Sequence, residues 1–441
     1  MPDLKLIPRK TLLTALICSS LRNGNLKEGL QTFQQGLQES ETMVNIDVPC
    51  FLHIFSAFSK HDLKHRNNKE AKRMHIHAIS NGFENDLMVC TSLIHMYGKL
   101  NDASYACTIF NSMETKNVVA WNAIISSFVK TKESDKAIPF FEQMVCEGIF
   151  PVKVTFLAII NAQKDFDHGT RMHAIIVIRN EISLDISVQT CLVSMYGRFG
   201  RPDISRKIFD VIVDPNIISW TTIISVCANN KQTKEAFDLL SQMQHKKKLA
   251  PNDVTLVSLL GLCANEGLLI EGMHLHALIL AFGFDFLIVV TNALLNFYSK
   301  CGNPIDAHHI FLAMPEKDVI SWNIMIAMTD RRNAESLMFF KEMCYGGFTP
   351  SKATFMSILD ACANLSNLHE ARRAHFYIVD AGLDGDQSLE NVIINVYGQC
   401  KSLKDAQAVF SKNLKCDIVT WNTMLGACLH NRHGEDALCL Y

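Results

Sequence analysis

The chain has 441 residues, of which 48% are hydrophobic and 20% are charged, and its formal net charge at pH 7 is −2. This balance suits an extended hydrophobic core, and it argues weakly against a simple basic nucleic-acid binder, because a whole-chain sum averages opposite faces. No apolar run approaches the about 18–20 residues that a membrane-spanning helix needs, so no membrane partner is expected.

Recurring phrases divide the chain from its N-terminus onward. The four tryptophans are 99, 102 and 99 residues apart and lie in similar phrases (VVAWNAII, IISWTTII, VISWNIMI, IVTWNTML): Trp121, Trp220, Trp322 and Trp421. A second phrase, exemplified by TSLIHMYGKL, keeps the same interval, and so does a third, exemplified by TFLAIINA. The spacing predicts a repeat array with three repeats per interval, each of two-helix length.

In chain order we expect a short leader over residues 1–9 and then thirteen repeats. The repeats are 10–47, 48–86, 87–117, 118–152, 153–185, 186–216, 217–252, 253–287, 288–318, 319–351, 352–386, 387–417 and an incomplete 418–441. Position numbers count from the first residue of each repeat.

Each repeat predicts two amphipathic helices. In repeat 118–152 the apolar residues recur at the i, i+3, i+4, i+7 spacing of one helical face, first at Trp121, Ile124, Ile125 and Phe128 and then at Ala137, Phe140, Phe141 and Met144. Ser134 and Asp135 are candidates to cap the second helix. One such hairpin cannot bury its apolar side alone, so we predict an all-α solenoid of stacked hairpins.

The sequence contains no specific motif for metal binding or catalysis. The fifteen cysteines contain no C-x-x-C pair, so we expect neither a metal site nor disulfides, and a reducing compartment. His433-Gly434-Glu435 matches the H-x-E of zinc deaminases, but no P-C-x-x-C follows it. No P-loop, nucleophile elbow or dinucleotide-binding glycine motif is present. We predict no catalytic residue, no cofactor and no enzyme activity.

The repeats resemble those of plant pentatricopeptide repeat proteins of the PLS subfamily. VVAWNAIISSFVKTKESDKAIPFFEQMVCEGIFP resembles the P motif, VTLVSLLGLCANEGLLIEGMHLHALILAFGF the long L motif and DISVQTCLVSMYGRFGRPDISRKIFDVIVDPN the short S motif. The alternation covers residues 10–441. The tetratricopeptide pattern, the nearest alternative, is not in register.

The resemblance implies a right-handed superhelix that binds single-stranded RNA, with about one base per repeat. In this family the fifth and last residues of P and S repeats read the base. Adenine is implied by Thr91/Asn117, Thr190/Asn216 and Thr221/Asn252, uracil by Asn292/Asp318 and Asn391/Asp417, cytosine by Asn323/Ser351, a pyrimidine by Asn122/Val152 and guanine by Thr14/Asp47. Asn422 lacks its partner. The implied target, from its 5′ end, is G-n-A-Y-n-A-A-n-U-C-n-U-Y, where n marks an L repeat.

Hydrogen-bonding chemistry supports these roles. Asn offers a donor and an acceptor, whereas ionised Asp only accepts and so selects a base N–H. The alternative is that the fifth residue caps the first helix. Its polar identity in P and S repeats argues against this, because L repeats have apolar residues there: Leu52, Leu157, Val257 and Met356.

Two further positions follow the same face. Position thirteen is basic in many repeats and lies about 80° from position five on a helix, so it predicts a track for the RNA backbone: Arg22, Lys99, Lys130, Arg198, Lys300 and Arg331. The alternative is that basic residues suit a helix C-terminus. Position two, by resemblance, sandwiches the bases, although apolar packing is an equal explanation: Val119, Ile218, Val289, Ile320 and Val419.

The function predicted is sequence-specific RNA binding, as a site-recognition factor in organellar RNA processing such as C-to-U editing. The alternative is a protein-interaction solenoid without RNA binding. A deaminase-domain protein or an editing accessory factor acting in trans is a further expected partner. The chain ends at Tyr441 inside a helix, so we expect a truncated product without a C-terminal extension or deaminase domain. The family implies the mitochondrion, or alternatively the chloroplast, although MPDLKLIPRK lacks the features of a transit peptide.

Overall fold

The computed structural model describes residues 15–17, 19–21, 23, 26–38, 48–60, 68–178, 183–245, 248–328, 333–412 and 417–440. Within these ranges the chain forms 25 α-helices and no strand. It divides into two compact bodies, an N-terminal body that ends at Val226 and a C-terminal body that begins at Cys227.

The N-terminal body contains the first helices of the chain in hairpin order. They are α1 (Leu26–Gln38), α2 (Val48–Lys60), α3 (Asn68–Ser80), α4 (Leu87–Lys99), α5 (Ala103–Ser112), α6 (Val118–Lys130), α7 (Ser134–Cys146), α8 (Lys153–Ala162), α9 (Phe166–Ile178), α10 (Ile186–Arg198) and α11 (Pro202–Val211). The division between the bodies falls within α12 (Ile217–Asn229).

The C-terminal body continues the alternation. Its helices are α13 (Thr233–His245), α14 (Asp253–Glu266), α15 (Leu269–Phe282), α16 (Ile288–Lys300), α17 (Pro304–Ala313), α18 (Val319–Met328), α19 (Asn333–Tyr345), α20 (Lys352–Asn364), α21 (Leu368–Asp380), α22 (Gln387–Gln399), α23 (Leu403–Lys412), α24 (Ile418–His430) and α25 (Gly434–Leu440).

Stacked helix hairpins build both bodies. In the N-terminal body α4 packs against α5 within its hairpin and against α6 of the next, and in the C-terminal body α22 packs in the same way against α23 and α24. The even-numbered helices are therefore the first helices of successive hairpins, and the odd-numbered ones are the second helices. This stacking confirms the predicted all-α hairpin array. The partition into repeats stays a proposal, and it is supported by first helices that begin at residues 48, 87, 118, 153, 186, 217, 253, 288, 319, 352, 387 and 418.

The tryptophans hold the hairpins together. Trp121 is fully buried in α6, and its ring packs edge-on against Phe110 of the preceding second helix at 4.6 Å between centroids. Trp322 packs against Phe311 in the same way at 4.8 Å. The predicted cap of α7 is wrong, because Ser134 begins the helix and Glu133 stands at the cap position without a side-chain cap bond.

Glycine lets neighbouring first helices approach closely at position twelve of two S repeats. A Cβ on Gly98 would lie 2.0 Å from Ser127 Oγ, and one on Gly398 would lie 2.7 Å from the Cβ of Ala427. Any side chain here would separate the helices. Among the described residues, no helix has both the length and the apolar character needed to cross a membrane.

Candidate nucleic-acid interface

The fifth and last residues of the repeats come together at the N-termini of the first helices. The fifth residue lies in the second turn of its helix, so it does not cap that helix and the capping alternative is wrong. The last residue is the N-cap of the next first helix. Asn117, for example, precedes α6 and accepts the N–H of Ala120 at 2.9 Å from Oδ1.

Most last residues cap in this way through their side chains. A side-chain oxygen accepts the N–H of the third residue of the next helix at Asn117, Asn216, Asn252, Asp318, Ser351 and Asp417. Val152 occupies the cap position without a polar side chain to contribute. A capping oxygen is thereby fixed beside the fifth residue of the preceding first helix.

Three of the predicted pairs in the C-terminal body are hydrogen-bonded. Asn292 Nδ2 donates to both carboxylate oxygens of Asp318 at 3.2 Å. Asn323 Nδ2 donates to Ser351 Oγ at 3.1 Å. The pKa of Asp417 is lowered by the backbone N–H and hydroxyl of Thr420 and, to a smaller extent, by a hydrogen bond from Asn391. 

The pairs of the N-terminal body are connected less directly. Asn122 Oδ1 accepts the hydroxyl of Thr155 at 2.6 Å. Thr190 and Asn216 both contact Ser219 Oγ, at 2.9 and 3.2 Å. Thr91 donates to the carbonyl oxygen of Leu87 at 2.6 Å, and Asn117 is exposed at its cap.

The remaining predicted base-reading residues differ in position and in exposure. Thr221 is 8% exposed in α12, Asn252 caps α14 and Asn422 is exposed in α24. Thr14 and Asp47 lie outside the described residues, as do the predicted backbone residues Arg22 and Arg331.

A groove of about 670 Å³ crosses α2, α4, α6 and α8 in the N-terminal body. It brings together residues at the predicted base-reading and backbone positions of adjacent repeats and at position two: Thr91, Asn122, Lys99, Lys130, Val119 and Val154. Position nine contributes His95 and Ser126. Residues predicted from separate repeats therefore line one continuous surface.

The groove is electropositive at one side. Burial, and then the neighbouring charge of Lys99, lowers the pKa of Lys130, while burial followed by both lysines lowers the pKa of His95. In the described part of the chain no salt bridge joins either lysine to a carboxylate. Two cations without an anion between them leave a positive potential that a phosphate would neutralise.

Two other position-thirteen residues bond to the preceding first helix. Arg198 donates to the carbonyl oxygens of Asn161 and Ile160 at 3.3 and 3.2 Å, and Lys300 donates to Asn265 Oδ1 at 2.9 Å. Both remain exposed. Arg198 thus bonds the C-terminal carbonyl groups of a neighbouring helix and Lys300 a side chain of one, and both keep part of the cationic surface open.

Position two does not pack inside the chain. These residues are between 56% and 67% exposed: Val119, Ile218, Val289, Ile320 and Val419. Apolar packing within the protein therefore does not explain them. Their exposure one turn from the fifth residue gives the surface apolar contacts of the kind that sandwich bases.

Four His–Tyr hydrogen bonds were missed from the sequence. Each joins the second helix of an L repeat to the first helix of the following S repeat, and their lengths are 3.1, 3.0, 2.9 and 2.9 Å: His75–Tyr97, His173–Tyr196, His276–Tyr298 and His375–Tyr397. The signal was available, because each histidine precedes its tyrosine by 22 or 23 residues.

Two family models match parts of the chain. A PPR repeat family model matches residues 116–163 and 215–265, and a PPR repeat model matches residues 88–118, 289–319 and 419–441. The matches lie in both bodies and include three of the four tryptophan phrases in part or whole, at Trp121, Trp220 and Trp421.

Curated relatives in Arabidopsis thaliana carry the same repeats. Two proteins named as chloroplastic pentatricopeptide repeat-containing proteins are each 29% identical, one over 84% of this chain and 46% of the relative, the other over 97% and 69%. A mitochondrial one is 30% identical over 83% of this chain and 36% of the relative. The chain spans roughly half the length of the curated relatives that it matches.

Solved structures share the fold. The pentatricopeptide repeat protein PPR10 in complex with an 18-nucleotide psaJ RNA element aligns over 99% of this chain and 68% of that chain, with a TM-score of 0.67 and 18% identity. PPR10 from maize aligns over 99% and 73%, with a TM-score of 0.58 and 17% identity. The stacked-hairpin solenoid is thus common to this chain and PPR10.

Proposed function

We propose that this chain, a pentatricopeptide repeat protein, binds single-stranded RNA along the exposed side of its first helices and reads one base at each P and S repeat. The observation that carries the proposal is the groove across α2, α4, α6 and α8. There, predicted base-reading residues, exposed apolar side chains and two lysines that form no salt bridge within the described part of the chain line one surface.

Each component of that surface matches one part of an RNA strand. Thr91 and Asn122 offer hydrogen-bonding groups to base edges, and Val119 between them offers apolar contact. Lys99 and Lys130 offer positive charge to phosphates. A protein-interaction scaffold would require none of this periodic combination. RNA bound to the structurally similar PPR10 supports the same assignment.

We further propose a role as a site-recognition factor in organellar RNA processing, such as C-to-U editing. The mitochondrion is the proposed compartment and the chloroplast the alternative; relatives are named for each. Catalysis would come from a deaminase-domain protein or an editing accessory factor in trans, because the sequence offers no motif for it.

The direct test is selection of RNA from a random pool by the purified chain. We expect enrichment of A-A-n-U-C-n-U, the central part of the implied target. A selected pool without this element would overturn the proposed register, and a chain that retains no RNA at about 0.1 M salt would favour the interaction scaffold instead.

A further inference from the structure

The residue at position three of each first helix follows the type of the preceding repeat. After P and S repeats, whose fifth residue is polar, six of the eight position-three residues that the structure describes carry a hydroxyl: Thr155, Ser219, Thr255, Ser321, Thr354 and Thr420. The exceptions are Cys50 and Ala120. After L repeats, whose fifth residue is apolar, all four are aliphatic: Val89, Val188, Val290 and Leu389.

All of these side chains are buried, so the choice between them is not a matter of solvent contact. The six hydroxyl residues are at most 1% exposed, and the four aliphatic ones are fully buried. Valine has nearly the shape of threonine, and burying a hydroxyl costs free energy unless it is hydrogen-bonded. The hydroxyls therefore occur where a partner requires them.

At two junctions that partner is the base-reading asparagine itself. Thr155 Oγ1 accepts the backbone N–H of Val152 at 3.0 Å, so its own proton is free to donate to Asn122 Oδ1 at 2.6 Å. Because the hydroxyl oxygen already accepts the N–H at the cap, the hydroxyl bonds the asparagine as a donor, and its partner must be the amide oxygen. This bond fixes the amide with its oxygen facing inward. The Nδ2 group is then the one available to the groove.

The same arrangement recurs 199 residues later in the C-terminal body. Thr354 accepts the backbone N–H of Ser351 at 2.9 Å and donates to Asn323 Oδ1 at 2.5 Å. Asn323 Nδ2 uses one N–H for Ser351 Oγ at 3.1 Å, and its second N–H is available for a base.

Where the last residue is Asp or Asn, the hydroxyl turns to that residue instead. Thr420 donates to Asp417 Oδ1 at 2.9 Å and Thr255 donates to Asn252 Oδ1 at 2.7 Å. With the hydroxyl engaged there, Asn391 Oδ1 is buried and has no hydrogen-bond partner among the described residues. The same holds for Asn292 Oδ1, where the Ser321 hydroxyl donates to the carbonyl oxygen of Asp318 at 2.8 Å. The hydroxyl therefore bonds the fifth residue, the last residue or, at Ser219, both Thr190 and Asn216.

We propose that the buried position-three hydroxyl is a positioning residue that sets which hydrogen-bonding atom each base-reading pair presents to RNA. This inference rests on the proposed function. At Asn323 it presents a donor, which suits the N3 acceptor of cytosine and not the N3–H of uracil. Without the hydroxyl the amide can rotate by 180° and offer its oxygen, so discrimination between the two bases is lost.

The experiment measures binding of the whole chain to two RNAs that differ only in C or U opposite repeat 319–351. We expect Thr354→Val to reduce the C-to-U affinity ratio by about tenfold, because one buried polar contact no longer separates the bases. Thr354→Ser keeps the hydroxyl and should keep the ratio. Val188→Thr, at a junction after an L repeat, should leave it unchanged.

Capping of α20 by Thr354 would also affect stability, so thermal unfolding is recorded for each variant. A gain-of-function variant avoids that ambiguity: Ala120→Ser supplies the missing hydroxyl and should sharpen the base preference of the pair Thr91/Asn117. An unchanged ratio in folded Thr354→Val together with no gain in Ala120→Ser would overturn the inference. A native chain without any C-to-U preference would instead overturn the proposed function.

Discussion

Junctions that follow an L repeat differ from those that follow a P or S repeat on both sides of the stack. After L repeats the buried position-three residue on the groove side is aliphatic, as at Val188. An ion pair can also span such a junction, as between Lys153 Nζ and Asp185 Oδ2 at 2.7 Å. At most junctions after P and S repeats the same place holds a buried hydroxyl beside the predicted reading pair. The side of the second helices shows the reverse, because among the described residues the His–Tyr bond occurs only at junctions after L repeats, as between His173 and Tyr196.

We therefore assign the proposed base recognition and the packing of neighbouring hairpins to different junctions. Burying a polar pair beside a hydroxyl costs free energy unless every group is hydrogen-bonded, and the side-chain oxygens of Asn292 and Asn391 have no partner among the described residues. Junctions after L repeats avoid that cost on the groove side, since valine and leucine need no partner. The repeats that we propose to read bases are thus interspersed with repeats whose junctions serve mainly to hold the stack.

Exchanging a base-reading pair should have the largest effect. Asn292→Thr combined with Asp318→Asn converts a uracil pair into the pair found at Thr190 and Asn216. We expect the preferred base opposite repeat 288–318 to change from U to A, with a change in the affinity ratio of about 10–100-fold. Competition binding with RNAs that vary at this base measures it.

The same RNA contains its own control for that exchange. The pair Asn391/Asp417 is unchanged in the variant and should still prefer uracil at its base. If the exchanged repeat kept its preference for U, the fifth and last residues would not be the readers, and the contrast between junction types would concern packing alone.

The close approach of first helices is a second contrast between the junctions. Position twelve is glycine in three of the four S repeats, as at Gly398, and serine in the other, at Ser299, whereas L repeats have residues with a side chain there, as at Lys164. Gly398→Ala would place a Cβ 2.7 Å from that of Ala427, so we expect a loss of about 1–3 kcal/mol in the free energy of unfolding. Urea unfolding followed by circular dichroism measures the change.

Gly426 is the matched control for Gly398. It lies in the neighbouring helix α24, and a Cβ there meets nothing within 4 Å. Gly426→Ala should be neutral or should stabilise the chain by up to about 1 kcal/mol through helix propensity. Equal destabilisation by both substitutions would mean that helix contact at S repeats is not especially close.

The lysines of the groove should matter for every RNA sequence equally. Lys99→Gln combined with Lys130→Gln removes two charges that form no salt bridge with a carboxylate of the described residues, so affinity should fall about tenfold near 0.1 M salt. The slope of log affinity against log salt should become shallower by about 1.4. Lys164→Gln, which removes an exposed partner of Asp135, is the control. A changed base preference in the double variant would contradict a backbone role.

The sequence predicted the hairpin array because hydrophobic period and repeat interval depend only on local spacing, and the fold confirms it. The periodic pattern also indicated which face of each first helix is polar. What it could not show is which groups bond across helices. The sequence of a single repeat does not indicate the role of the Thr155 hydroxyl, because its partner Asn122 lies 33 residues earlier. The His–Tyr bonds were not predicted for the same reason, although their 22- or 23-residue spacing is present in the sequence.

The smallest expected effect concerns those His–Tyr bonds and pH. Burial lowers the pKa of all four histidines below its ordinary value of about 6.5: His75, His173, His276 and His375. As pH falls through about 6.5 the unfolded chain therefore takes up protons that the folded chain does not, so the free energy of unfolding decreases. It levels off once the pH is below the folded-state pKa. Thermal unfolding between pH 7.5 and 5.5 should show this decrease.

Helix α15 provides a matched pair of variants for the pH dependence. His276 bonds Tyr298 at 2.9 Å, whereas His274 on the same helix is exposed. His276→Gln should flatten the pH dependence by about a quarter of the four-histidine contribution, and His274→Gln should leave it unchanged. Tyr298→Phe should lower the free energy of unfolding by about 0.5–1.5 kcal/mol at pH 7.5, because it removes one hydrogen bond. If His274→Gln flattened the curve as much as His276→Gln, the cohesion of junctions after L repeats would not depend on neutral, buried histidine.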